Sequence, residues 1–188
     1  ENYWNGEVKI DELNYKVFSN GTAAVQNLKS GQLDFVDDVP TKEIKGLENN
    51  PNIKVVAEAG MAYQGMYMNT TQEPFTNKYL RQAVNKAIDR EAFIKVVIDG
   101  YGVPANSPFA PGNLAYGDSD KVSKPNEQKI KDLLTKGGKP NGFSFKFQIG
   151  TSPVNEQFGA VIQSMLKPYG IQVELEKVEF GTMLDNGA

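Results

Sequence analysis

Few residues in this chain have the types and spacing that chemistry requires, and each set falls short of a reaction. Ser164 and Lys167 have the Ser-x-x-Lys spacing of serine acyl enzymes. They sit within a helical pattern beside Met165 and Leu166, and the sequence holds no Ser-Asp-Asn or Lys-Thr-Gly companion. Ordinary helix residues are expected. Asp118 and Asp120 open like a calcium loop, but Val122 and Ser123 stand where an oxygen ligand and Gly are needed, and Lys129 replaces the closing Glu. A turn is expected there. Asp37 and Asp38 precede Pro40 and suit a solvated strand end. Gly100-Tyr101-Gly102 lacks the third Gly and the following helix start of a phosphate cradle. The chain has 0 His and 0 Cys. Disulfides, thiolate nucleophiles, imidazole bases and the usual zinc sites are therefore excluded together. No carboxylate pair marks itself as an acid/base couple. The expectation is a protein without catalysis, cofactor or metal.

The chain that must carry any site has 188 residues, enough for one domain or two small lobes. With 39% hydrophobic and 23% charged residues it has the composition of a globular protein that buries a core without staples. Its formal charge is −3 and its Lys and Arg residues are scattered, so nucleic acid is not an expected partner. No apolar run approaches the roughly 18 residues of a membrane span. Phe93–Ile98, the most apolar stretch, is interrupted by Lys95. The opening Glu1-Asn2-Tyr3-Trp4 has the character of mid-protein sequence rather than of a leader.

Periodicity supplies the elements. Residues 8–18 suit an extended segment, residues 22–30 a short helix with Ala24, Val25 and Leu28 on one face and Gly31 as its stop. Residues 33–39, 53–59 and 61–69 again suit extended chain. The clearest helix runs from Asn77 to Arg90, where Leu80, Ala83, Val84, Ala87 and Ile88 form one apolar stripe. Asp89 is placed to cap a second helix through Ile98, closed by Gly100. Residues 101–125 are rich in Gly, Pro, Asn and Ser, and a loop that long is usually functional or wraps a neighbour. Residues 126–136 form a further helix burying Ile130, Leu133 and Leu134. Phe143, Phe145, Phe147 and Ile149 then alternate with polar residues. A helix over 154–167 follows, and Ile171, Val173 and Leu175 alternate in turn. Strand, helix and strand at this length predict a βαβ unit with parallel strands. The fold class is α/β, or mixed α+β.

Several ordered segments resemble the bacterial extracellular solute-binding proteins of family 5, the oligopeptide- and dipeptide-binding components of ABC importers. Asn2-Tyr3-Trp4 and Leu28-Lys29-Ser30-Gly31-Gln32-Leu33-Asp34 are similar to the family's early motifs. Met68-Asn69, Pro74-Phe75 and the run Leu80-Arg81-Gln82-Ala83-Val84-Asn85-Lys86-Ala87-Ile88-Asp89-Arg90 resemble its most distinctive stretch. Gly102-Val103-Pro104-Ala105, Leu133-Leu134 and Tyr169-Gly170-Ile171-Gln172-Val173 continue the likeness across the chain. It implies a binding-protein lobe of a partial two-lobe architecture, with residues 1–60 near the hinge of the first lobe and residues 61–188 forming most of the second. It implies an oligopeptide ligand, a membrane permease as partner and a monomer. It also implies an extracytoplasmic location, in the periplasm or at the outer face of the membrane on a lipid anchor. By the same likeness the chain stops at Ala188, short of a family segment whose Asp holds the peptide's amine, so strong binding is expected of a longer parent.

The resemblance also suggests contacts. Gln26 falls where the family carries a polar residue facing the peptide backbone, and its amide both donates and accepts; an exposed helix Gln is the alternative. Phe180 falls at an aromatic position of the cleft wall, or is a core Phe at a strand end. Tyr63 and Tyr67 alternate on one segment and face either cleft or core. Related proteins take nickel, haem or sugars, and a surface adhesion or signalling protein on the same lobe is a further possibility. A hydrolase lacks its nucleophile.

Overall fold

Two units make up the chain, Glu1–Val56 and Ala57–Ala188, and the computed structural model describes residues 3–58, 60, 62–110, 113–117 and 122–187. In the first unit, α1 (Gly21–Lys29) begins where the Asn20 side chain accepts the Thr22 N–H at 2.9 Å, and Gly31 past its end takes a left-handed φ of +74°. Ala24 and Val25 are buried and Leu28 is half-buried. A helix that the sequence reading did not expect, α2 (Thr41–Glu48), follows Pro40 and buries Ile44 and Leu47. Lys29 Nζ lies 3.9 Å from Glu43 Oε2 and ties the two helices. None of the segments 8–18, 33–39, 53–58 and 62–69 forms a strand. Val8, Ile10, Leu13, Tyr15 and Val17 are exposed. β-type residues become a strand only when a neighbour takes up their amides and carbonyls, and no described segment does so.

The second unit holds the larger core. Its first helix, α3 (Lys78–Ala87), buries Leu80, Ala83, Val84 and Ala87 as its stripe requires. Asn77 caps it by accepting the Tyr79 N–H at 3.0 Å, and the same side chain donates to Gly137 O at 3.2 Å. One residue thus joins the start of α3 to the end of α5 (Glu127–Lys136). The single helix expected through Arg90 is broken. Ile88 is extended (φ −88°, ψ 113°), and Asp89 accepts the Ala92 N–H at 3.0 Å to start α4 (Arg90–Val97). The carboxylate satisfies an orphan amide of the new helix, so the chain turns there at little cost. Ile88 is consequently half-buried against the core rather than inside it. Ile88→Ala should therefore cost about 1–2 kcal/mol, below the usual loss at a fully buried site, as measured by a thermal melt.

Strand β1 (Ser144–Gly150) pairs in parallel with β2 (Gln172–Val178), in register from Ser144 opposite Gln172 to Gly150 opposite Val178. Between them run α6 (Pro153–Leu166) and a 3-10 turn, Lys167–Tyr169, which give the expected βαβ unit. Helix α6 packs on both strands and on α4. There the Phe93 and Phe158 rings meet edge to face at 4.6 Å, and Gln157 donates to Val96 O at 2.9 Å. The core of this unit joins α3, α5, α6 and the two strands through Leu80, Ile130, Leu134, Phe145, Leu166 and Val173. After β2 the chain enters a last helix, α7 (Phe180–Gly187), which the sequence reading also missed and which packs against β1.

Candidate functional site

Each residue singled out from the sequence has a definite place. Gln26 lies on α1 with its side chain exposed, directly after buried Val25, and its carbonyl accepts the Ser30 N–H at 3.0 Å. Its amide has no hydrogen-bond partner among the described residues that would occupy it. Tyr63 and Tyr67 belong to the segment before α3 and are 40% and 88% exposed, whereas Met66 and Met68 between and beyond them pack against the core. The two tyrosines are therefore not core residues. Phe180 opens α7 instead of closing a strand, since β2 stops at Val178; its side chain lies outside the described residues. Gln26 belongs to the first unit and the other three to the second.

The charged group beside this segment with defined partners is Arg90. Its Nε donates to Ala105 O at 3.0 Å and its Nη1 to Asn85 O at 3.4 Å. Burial pushes the guanidinium pKa down from its usual value, and nearby Tyr63 acts in the opposite direction. In the sequence Arg90 closes the family-like run that begins at Leu80, and the motif alone assigns it no task. A signal was available: Arg90 is the first residue of α4, where a cation opposes the helix dipole. A cation there needs partners from elsewhere, and the two carbonyls supply them.

The other chemical candidates resolve as ordinary structure. Ser164 and Lys167 are exposed, and the Lys167 N–H donates to Gln163 O to close α6. Asp37 and Asp38 are exposed in a bend before α2; the strand they were expected to end does not form. Gly100 and Tyr101 donate to Ile94 O (3.1 Å) and Ile98 O (2.8 Å), which finishes α4 rather than cradling a phosphate. Asp118 and Asp120 lie outside the described residues. Among the described residues no group of three or more His, Cys, Asp and Glu could hold a metal ion, and no helix is long and apolar enough to cross a membrane. Exposed amide, phenol and aromatic surfaces suit hydrogen bonding and stacking to a ligand.

These features describe a lobe of an α/β binding protein. The chain belongs to the bacterial extracellular solute-binding proteins, family 5, whose middle region matches residues 1–187. It is 31% identical to the oligopeptide-binding protein AppA of Bacillus subtilis, over 98% of this chain and 37% of that protein. It is also 31% identical to the nickel-binding protein NikA of Staphylococcus aureus, over 95% of this chain and 37% of that protein. Among solved structures it resembles the periplasmic binding protein DppA of Helicobacter pylori in complex with the peptide STSA. That match has a TM-score of 0.80 at 31% identity and covers 90% of this chain and 33% of that one. The chain thus spans 37% of the length of each of these two relatives. The family's members are solute-binding proteins and not enzymes.

Proposed function

We propose that this chain is part of an extracytoplasmic subunit that captures oligopeptides and delivers them to the membrane permease of an ABC importer. The observation that carries the reading is the likeness to the DppA–peptide complex along 90% of this chain. A related protein, NikA of Staphylococcus aureus, is solved with Ni(L-His)2, a chelate that brings its own nitrogen ligands to the metal. A peptide instead needs donors and acceptors for a repeating backbone and roomy, wet surroundings for variable side chains. In this reading residues 1–60 belong to the first lobe and residues 61–188 to most of the second. Gln26 pairs with the peptide backbone, and Tyr63, Tyr67 and Phe180 provide aromatic walls. The protein works as a monomer outside the cytoplasm and performs no catalysis.

The test is native mass spectrometry of the protein purified from peptide-rich medium, followed by calorimetry with the tetrapeptide Ser-Thr-Ser-Ala and with nickel. A heterogeneous set of co-purified peptide masses is expected. Gln26→Ala and Tyr67→Ala should each weaken tetrapeptide binding by roughly fivefold to tenfold, the share of one good contact. Stoichiometric nickel with no bound peptide would replace this reading with that of a metal carrier.

A further inference from the structure

We propose that the cleft between α3 and the start of α5 is a binding site for a phosphate-type oxyanion, separate from any peptide contact. The cleft has a volume of about 330 Å³ and is lined by Lys86, Ser123, Lys124, Asn126 and Lys129. A second hollow of about 280 Å³ adjoins it and shares Lys86 and Lys129. Three of the five lining residues are thus cationic on a chain whose formal charge is −3, so the concentration of positive charge is local.

The partners of these lysines decide what the cleft can take. Lys86 is half-buried, and its ammonium donates to Ser123 Oγ at 3.3 Å. Lys124 lies 3.6 Å from Glu91, with both side chains exposed, so that pair is weak and screened. Among the described residues no carboxylate pairs with Lys86 or Lys129. The acids of α5 are engaged elsewhere: Glu127 with Lys131 at 2.6 Å, Asp132 with Gln128 at 2.9 Å. Asn126 Oδ1 already accepts the Lys129 N–H at 2.9 Å, which leaves the Asn126 amide N–H groups to face a ligand. The lining therefore offers ammonium, hydroxyl and amide donors, and no carboxylate among the described residues.

Half-buried Lys86 and exposed Lys124 and Lys129 place ammonium donors around one cleft, and a tetrahedral oxyanion accepts several charge-assisted hydrogen bonds at once. The α5 amino terminus adds field of the same sign. A cationic ligand is repelled here, and a neutral acceptor forgoes the charge complementarity that an anion gains. The phosphate comes either as the free ion or as the headgroup of an anionic lipid, and the same donors serve both.

The experiment is an amide NMR titration of the chain with sodium phosphate, against sodium chloride at matched ionic strength. Its second arm is co-sedimentation with phosphatidylglycerol vesicles and with phosphatidylcholine vesicles. Saturable shifts at Ser123, Asn126 and Lys129 with phosphate alone are expected, and the Lys86→Gln/Lys129→Gln double variant should bind roughly tenfold more weakly. The Lys86→Arg/Lys129→Arg variant should retain binding, and Ser123→Glu should abolish it while leaving both lysines in place. Binding to phosphatidylglycerol that depends on both lysines identifies a lipid headgroup as the source. A phosphate response without vesicle binding identifies the free ion. No saturable response in either arm, a chloride response equal to the phosphate one, or full binding by the folded Gln variant would overturn the proposal.

Discussion

Leu80→Ala should lower the unfolding free energy of the second unit by about 3–5 kcal/mol, the loss typical of a large side chain removed from a core that cannot collapse around the void. Leu80 is 1% exposed and sits on α3 where that helix meets α5. The reason to choose it over other core positions is its neighbour Gly137, the C-cap of α5. A β-carbon at Gly137 would lie 2.9 Å from Leu80 Cγ and closer still to Leu80 Cδ2. Gly137 has an ordinary φ of −79°, so its backbone accepts Ala and only packing opposes the change. Gly137→Ala should consequently destabilise the wild type by about 1–3 kcal/mol through overpacking. In the Leu80→Ala background the same methyl enters the void, so its cost should vanish or change sign. Urea unfolding of the two single variants and the double variant measures this coupling directly. Additive losses would show that the two positions do not share space.

Gly170→Ala should cost at least about 3 kcal/mol, for two reasons that compound. Gly170 has φ +71°, a conformation in which a side chain strains against its own backbone, and its β-carbon would run into the Asn141 carbonyl. Gly142 faces the reciprocal problem, with φ +92° and a β-carbon against the Gly170 carbonyl. The two turns cross each other where both strands begin, and Gln172 N donates to Phe143 O at 2.8 Å just beyond them. Neither obstacle is a flexible side chain, so the backbone must move and the pairing of Ser144 with Gln172 moves with it. Exposed Gly181, which has open space around its α-carbon, is the control: Ala there should change stability by less than about 1 kcal/mol, the usual range for an unencumbered surface site. Chemical denaturation with a strand-sensitive circular dichroism signal distinguishes the two.

The parts of the fold that were legible in the sequence are those whose pattern is local. Leu80, Ala83, Val84 and Ala87 repeat at helical spacing and are all buried, and Phe145 and Ile149 on β1, with Val173 on β2, keep a strand's alternation. The family and the α/β class followed from ordered motifs together with these patterns. Helices α2 and α7 were not legible, although α4 of the same eight-residue length was. The cap Asp89 announces α4, whereas α2 begins after Pro40 with no side-chain cap. α2 has two buried apolar positions, and α7 carries Gly181, Thr182 and Asn186, which are poor helix formers. The break at Ile88 was half legible: Asp89 was recognised as a cap, yet an apolar stripe that runs on past the cap gives no sign that the backbone straightens there. The extended segments misled for a different reason. Val8, Ile10 and Tyr15 have strand character, but pairing is a property of two segments and only one was in view. For the candidate contacts, sequence could name Tyr63 and Tyr67 but not say whether they are buried; the fold leaves both exposed.

The long stretch between α4 and α5 is held near both ends by residues of the two helices before it, α3 and α4. Arg90 holds Ala105 O, and Lys86 holds Ser123 Oγ, from positions one turn apart on either side of the Ile88 break. Because both clasps belong to the α3–α4 corner, the distance the intervening residues must bridge is fixed by that corner and not by their number. The entropy of closing such a loop grows only with the logarithm of its length, roughly 0.6 kcal/mol for a doubling. A change of length between the two clasps should accordingly cost little in closure entropy and leave the start of α5 where the α3–α4 corner puts it.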